Sequence, residues 1–243
     1  MSNVAIVYHS GYGHTEVIAK AVAEGVTRGG GTPQLLKVEK ADQDFSPFLD
    51  AITKADAVIF GAPTYMGGVS APFKAFVDAT SKVWMTQGWR DKLAAGFTNS
   101  GAMSGDKSIS LTQLVTLAMQ HSMIWVGPAQ MPDYSKPMGD PSAANRLGSF
   151  TGVMTQSDQV APEISPPEGD REFARILGER VAKLARKYPK RIIHASKGVA
   201  LSARPRMEMA VATKGEAYSL IIAMAPTSLP QAGHWLEFIG KGW

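Results

Sequence analysis

The chain has 243 residues, 44% of them hydrophobic and 19% charged, and no cysteine. That length allows roughly three quarters of the extended-chain surface to be buried, and the missing thiols exclude disulfides, thiolate metal sites and cysteine nucleophiles. The formal charge of +4 is not spread evenly: residues 1 to 189 carry 18 basic and 18 acidic side chains, so the excess lies in 190 to 243. The body lacks the basic stripe interleaved with aromatics that nucleic-acid binding calls for. No apolar stretch approaches the ~20 residues of a membrane span, and strand residues begin at Val4, which leaves no room for a secretory signal core. The expected location is cytoplasmic.

In chain order, Val4, Ala5, Ile6 and Val7 form the continuous apolar run of a strand covered on both faces, over 3 to 8. The turn "SGYGHT" follows, with Ser10 and Thr15 as hydroxyls, Gly11 and Gly13 as residues tolerant of positive φ, and Tyr12 and His14 between them. Val17, Ile18, Ala21, Val22 and Gly25 then recur at helical spacing over 15 to 28. A helix opening on a tight turn points its unpaired N–H groups and positive dipole end into that turn, which suits a phosphate. Read without that ligand, the same turn is a strand-to-helix cap on Thr15.

Further strands are predicted over 33 to 38, 56 to 61, 93 to 99 and 122 to 127, and further helices over 46 to 54, 70 to 82, 107 to 120 and 169 to 187. Strict β-α alternation implies a parallel sheet with helices on both faces, α/β and doubly wound, of order 2-1-3-4-5. In such a sheet ligands bind beyond the carboxyl ends of the strands, beside strand 1. Residues 127 to 168, rich in Pro, Gly, Ser and Asp, are too long for a routine connection and read as a functional excursion or a covering loop. The helix at 169 to 187 is ended by Pro189. Beyond it, 190 to 243 break the alternation; 207 to 224 read as a hairpin turning at Lys214-Gly215 or as an irregular arm. Two domains are expected, 1–189 and this C-terminal extension.

Two more polar, glycine-bearing loops fall on the same sheet edge. After the third strand come Pro63, Thr64, Tyr65, Met66 and Gly67; Pro63 holds Ala62 extended, and Gly67 and Gly68 permit close backbone approach. After the fourth come Asn99, Ser100, Gly101, Ala102, Met103 and Ser104. One loop supplies phosphate donors, the others backbone polar groups and side chains that pack on a planar ring, and FMN fits that description. A dinucleotide fits less well, since Gly-x-Gly-x-x-Gly is missing and no acidic residue closes the second strand. A nucleoside triphosphate lacks its Gly-Lys-Ser/Thr, and a phospho-receiver lacks acidic residues where Tyr8, His9 and Ser10 stand. His9 and His14 read as hydrogen-bonding loop residues, with no partner at metal-ligand spacing and no metal expected.

"HSGYGHT", "GAPTYMGGVSAPFKAFVDAT", "VW" at 83 to 84, "KLAAGFTNSG" and "LAMQHSMIWVG" together resemble the flavodoxin-like NAD(P)H:quinone oxidoreductases of the WrbA type, over about residues 3 to 187. The resemblance implies that Ser10 to Thr15 cradle the FMN phosphate, that Thr64 to Met66 border the ring system and that Asn99 to Ser104 close its other side. It also implies that His121 reaches the flavin and that Tyr12 and Trp84 border the place where nicotinamide and quinone stack in turn. By position alone, His121 ends a helix, where a capping or core histidine is the commoner case, and Trp84 follows an amphipathic helix, where an aromatic usually packs in the core. The implied activity passes two electrons from NAD(P)H through FMN to a quinone by ping-pong kinetics, in a homodimer or homotetramer, with no catalytic side chain assigned. Alternatives are an FMN-dependent nitro, azo or flavin reductase, a one-electron carrier, and a flavin-binding interaction protein without turnover. The short carriers are strongly acidic, unlike this neutral body.

Overall fold

The computed structural model describes residues 1–188; the expected extension at 190 to 243, with its hairpin reading, lies outside the described residues. The elements in chain order are β1 (Ser2–His9), α1 (His14–Arg28), β2 (Gly31–Val38), α2 (Ser46–Lys54), β3 (Ala57–Tyr65), β4 (Gly68–Val69), α3 (Ala71–Ala79), α4 (Ser81–Thr86), β5 (Leu93–Ser100), α5 (Lys107–Gln120), β6 (Ile124–Trp125), β7 (Val153–Gln156) and α6 (Glu168–Lys187). The sheet runs β2-β1-β3-β5-β6, the doubly wound order expected. β1 pairs in parallel with β2 from Ser2 opposite Gly31 and with β3 from Val4 opposite Ala57. β3 in turn pairs with β5 from Ala57 opposite Leu93 to Pro63 opposite Asn99. His9, Tyr65 and Ser100 therefore leave the sheet along one edge.

Alternating side chains divide the core in two. Val4 and Ile6 of β1, Ala57 and Ile59 of β3, and Ala95 and Phe97 of β5 pack under α1 and α6, against Val22, Phe173, Leu177 and Val181. On the opposite face Ala5, Val7, Val58 and Phe60 meet Ile52, Phe73, Phe76, Leu111 and Leu114. Both faces are covered, which is why the strands read as apolar runs rather than as alternation.

Three departures from the sequence reading have physical causes. The helix expected over 70 to 82 breaks at Thr80, whose hydroxyl turns back to the Val77 carbonyl at 2.7 Å, so α3 and α4 are separate. The strand expected over 122 to 127 shrinks to two residues, and its place along β5 is shared. Ile124 and Trp125 pair with Leu93 and Ala94, while Val153 to Gln156 pair with Phe97 to Ser100. The Pro- and Gly-rich excursion is thus inserted into an edge strand, and β7 returns to the very end of β5 that carries Asn99 and Ser100. Finally, β4 folds back on β3 as a short antiparallel pair, Thr64 opposite Val69.

Candidate functional site

The turn after β1 is built around the Ser10 hydroxyl, which accepts the N–H groups of Gly13 and Glu16, both at 3.1 Å. Ser10, not Thr15, caps the helix, and its own O–H proton is left to donate. The helix begins after Gly13, whose φ of 92° is the left-handed region, and a Cβ there would meet Pro162 Cγ at 2.8 Å; glycine answers both demands. Gly11 is needed for a different reason, because a Cβ there would lie 2.6 Å from the Tyr65 hydroxyl. Gly11 N–H donates to that hydroxyl, while burial raises the Tyr65 pKa and keeps the phenol protonated. The Tyr12 and Tyr65 rings meet edge-on at 6.3 Å. His14 Nε2 lies 2.8 Å from the Val160 carbonyl, which can only accept, so that nitrogen carries a proton.

The two other loops are pinned from below. Thr64 donates to Ser110 Oγ at 2.7 Å and lies 2.8 Å from Thr98 Oγ1, so its hydroxyl faces the protein. Asn99 Oδ1 accepts from Thr155 Oγ1 at 2.8 Å and from Ser157 Oγ at 2.9 Å. His9 Nδ1 meets Ser70 Oγ at 2.8 Å, tying the end of β1 to the start of α3, and burial lowers its pKa.

Between these loops lies a cavity of about 640 Å³, within the range of small-molecule sites. Its walls come from four segments: Tyr12, His14 and Thr15; Pro63, Thr64 and Tyr65; Asn99, Ser100 and Gly101; and Ser157, Asp158, Gln159 and Val160. The fourth segment falls inside the 127 to 168 excursion, where no periodic pattern singles out these residues. What places it is the pairing of β7 with β5, continued by Ser157 N–H donating to the Ser100 carbonyl at 3.1 Å. Ser10, Gly11 and Gly13 form the turn behind this wall. Met66 and Gly67 do not line it: Met66 is fully exposed, and both sit at positive φ, 48° and 79°. Ala102, Met103 and Ser104 likewise stand outside the lining.

The residues present fit a phosphorylated planar group. The first turn of α1 offers N–H groups of His14 and Thr15 for which no acceptor occurs among the described residues, as at any helix start. The turn from Ser10 to Thr15 carries no carboxylate. A Cβ on Gly101 would meet only the Ser157 carbonyl at 3.7 Å, so the third loop is open to a flat neighbour.

The structure does not bring His121 or Trp84 to this cavity. Both line a second one, about 600 Å³, between α3–α4 and α5, with Val77, Thr80, Ile109, Gln113 and Leu117 among its other walls. The reason is polarity: α5 starts beyond Ser100 and runs back along the sheet, and Ile124 just after it pairs with Leu93, the first residue of β5. His121 is therefore separated from the Asn99 loop by the length of β5, about 23 Å. Its ring stacks on Trp89 at 4.6 Å, and its Nε2 lies 2.9 Å from Thr80 Oγ1. The Thr80 proton is engaged by Val77, so Nε2 donates, and Nδ1 is a buried lone pair with no partner among the described residues. Burial lowers the His121 pKa to about 4, and the imidazole is neutral at physiological pH.

Residues 12–133 match the model of the NADPH-dependent FMN reductase family. A Pseudomonas aeruginosa protein named flavodoxin FldP is 39% identical over 184 residues, 76% of this chain and 97% of that one. The chain belongs to this family. Within it the chain is flavodoxin-like and of the WrbA type: the crystal structure of a flavodoxin, WrbA-like protein from Agrobacterium tumefaciens has 41% identity and a TM-score of 0.58, over 77% of this chain and 99% of that one. An NAD(P)H dehydrogenase (quinone) from Archaeoglobus fulgidus is 30% identical, over 77% of this chain and 99% of its own length. The family is one of FMN-dependent oxidoreductases. No helix among the described residues is long and apolar enough to cross a membrane.

Proposed function

We propose that this family member is an FMN-dependent NAD(P)H:quinone oxidoreductase, with FMN held in the cavity at the strand ends. The observation that carries the reading is the convergence of four separate segments there, around a helix start whose His14 and Thr15 N–H groups find no acceptor among the described residues. Ser10 Oγ–H and the N–H groups of His14 and Thr15 would hold the phosphate, with the helix dipole behind them. Tyr65, braced on Gly11, and the Asn99–Gly101 backbone would flank the ring, and Tyr12, largely exposed, would cover the open face. FMN, when bound, supplies the two-electron chemistry between NAD(P)H and the quinone. The protein's part is to orient the ring, to keep the Tyr65 phenol as a proton donor, and to leave one face open to reductant and oxidant in succession.

The same proposal includes a homodimer or homotetramer, because Trp84 is half exposed and far from the cavity of its own chain. It borders a nicotinamide or quinone only if a second copy presents it. The proposal also places the protein in the cytoplasm, in keeping with its lack of cysteine. Steady-state oxidation of NADPH and NADH, with and without benzoquinone, tests the activity. Parallel double-reciprocal lines are the expected result, and turnover unaffected by quinone would overturn it. A second reading, a one-electron carrier, is favoured by the name of the Pseudomonas relative; it predicts negligible turnover with either nucleotide in the same assay.

A further inference from the structure

We propose that Lys107 positions the third loop of the FMN cavity and biases bound flavin toward its reduced, more negative form; this rests on the FMN reading above. Lys107 opens α5, yet its side chain is completely buried. Its Nζ donates to Ser100 Oγ at 2.9 Å, to the Ala102 carbonyl at 2.6 Å and to the Met103 carbonyl at 2.9 Å. Three protons meet three acceptors, and the ammonium is saturated. Ser100 is itself a wall of the cavity, so the lysine grips the loop that presents Asn99, Ser100 and Gly101.

The chain bends sharply to put the lysine there. Gly105 and Asp106 both adopt left-handed φ, 53° and 51°, and a Cβ on Gly105 would collide with the Ser100 hydroxyl. All three acceptors are neutral, so the hydrogen bonds satisfy the donors without cancelling the charge. The charged groups facing Lys107 are Asp170 and Arg146. Asp170 is already committed to Arg146, through bonds of 2.8 and 3.1 Å, and accepts the Gln156 N–H at 2.8 Å. Two buried cations thus share one buried carboxylate.

Burying an ammonium costs several kcal/mol unless something compensates, and burial accordingly lowers the Lys107 pKa, to about 8. A neutral donor would pin the same carbonyls without that penalty. What the cation adds is a positive field close to a cavity wall, where the dielectric is low. Reduction of FMN by two electrons with uptake of one proton leaves the flavin one negative charge richer, and this field favours that state.

The test uses the full chain stripped of flavin, with Lys107→Gln, Lys107→Met and Ser100→Ala beside it. Each is titrated with oxidised FMN by fluorescence quenching, and the two-electron midpoint potential of each complex is measured at pH 7. The wild-type potential is expected above that of free FMN. Lys107→Gln and Lys107→Met are expected to lower it by about 30 mV, a tenfold loss in preference for the reduced form. Ser100→Ala removes an anchor but keeps the charge, so it weakens both redox forms alike and leaves the potential unmoved, as any merely structural change would. A wild-type potential below that of free flavin overturns the inference even if neither lysine variant folds, and so does an unmoved potential in a folded variant. If the wild type fails to bind FMN, the functional reading itself falls; if it binds and only the potential disagrees, this inference alone is lost.

Discussion

The two cavities are nearly equal in size, about 640 and 600 Å³, and differ in what walls them. The one at the strand ends is lined by loop backbone, hydroxyls and a helix start with spare donors. The other lies between helices, and its walls include a buried histidine whose Nδ1 has no partner among the described residues. Volume does not tell them apart. The supply of unpaired donors does, and donors come from the parts of the chain where secondary structure begins or ends.

The largest effect that would sharpen this contrast comes from Ser10→Asp. Aspartate caps a helix as well as serine, so stability should hold, but its charge would face the phosphate at a cost of about 4 kcal/mol at 4 Å and an effective dielectric of 20. FMN affinity measured by fluorescence quenching is expected to fall at least a hundredfold. The same carboxylate placed in the other cavity by Gln113→Asp should leave it unchanged.

The helix-walled cavity has its own signature, in pH. His121 is neutral in the folded chain down to about pH 4, whereas the unfolded chain takes up the proton near 6.5. The unfolded state therefore binds more protons in that window, and stability falls as pH drops from 6.5 to about 4. The full loss is roughly 3 kcal/mol, to be read from urea midpoints of flavin-free protein at pH 7 and 4.5. His121→Gln should flatten that limb without touching FMN affinity.

Smaller effects follow. Tyr65→Phe deletes the hydroxyl that meets Gly11 N–H, a loss of about 0.5–1.5 kcal/mol, so FMN binding should weaken between twofold and tenfold. Trp84→Ala should change FMN affinity by less than twofold, because the ring lies in the other cavity of its own chain and, presented by a second copy, borders the nicotinamide or quinone rather than FMN itself; a larger change would mean that it packs on the flavin directly.

Much of this was legible in the sequence. The apolar runs at Val4 to Val7 and Ala57 to Phe60 announce strands buried on both faces, and the glycine-bearing turns after them mark the edge where the cavity forms. The helix start after Gly13 and the role of Asn99 to Gly101 in the wall follow from the same pattern. That His121 lies away from the strand-end cavity of its own chain was in principle readable. A helix that starts at the carboxyl end of a strand must finish near the amino end of the next. Segment 157–160 gave no such signal: it is a loop of Ser, Asp, Gln and Val, delivered by the four-residue strand β7 after an insertion that divides the edge strand. Met66 left the cavity because its backbone turns left-handed, which no side-chain pattern announces. Thr64 faces inward because Thr98 and Ser110 lie within hydrogen-bonding reach, a tertiary fact.

The most direct test of the central claim is titration of flavin-free full-length protein, wild type and Ser10→Asp, with FMN and with riboflavin. The account predicts one FMN per chain, much weaker binding of riboflavin, which lacks the phosphate, and loss of the difference between the two ligands in Ser10→Asp. Equal affinity of the wild type for FMN and riboflavin, or no binding of FMN at millimolar concentration, would contradict it.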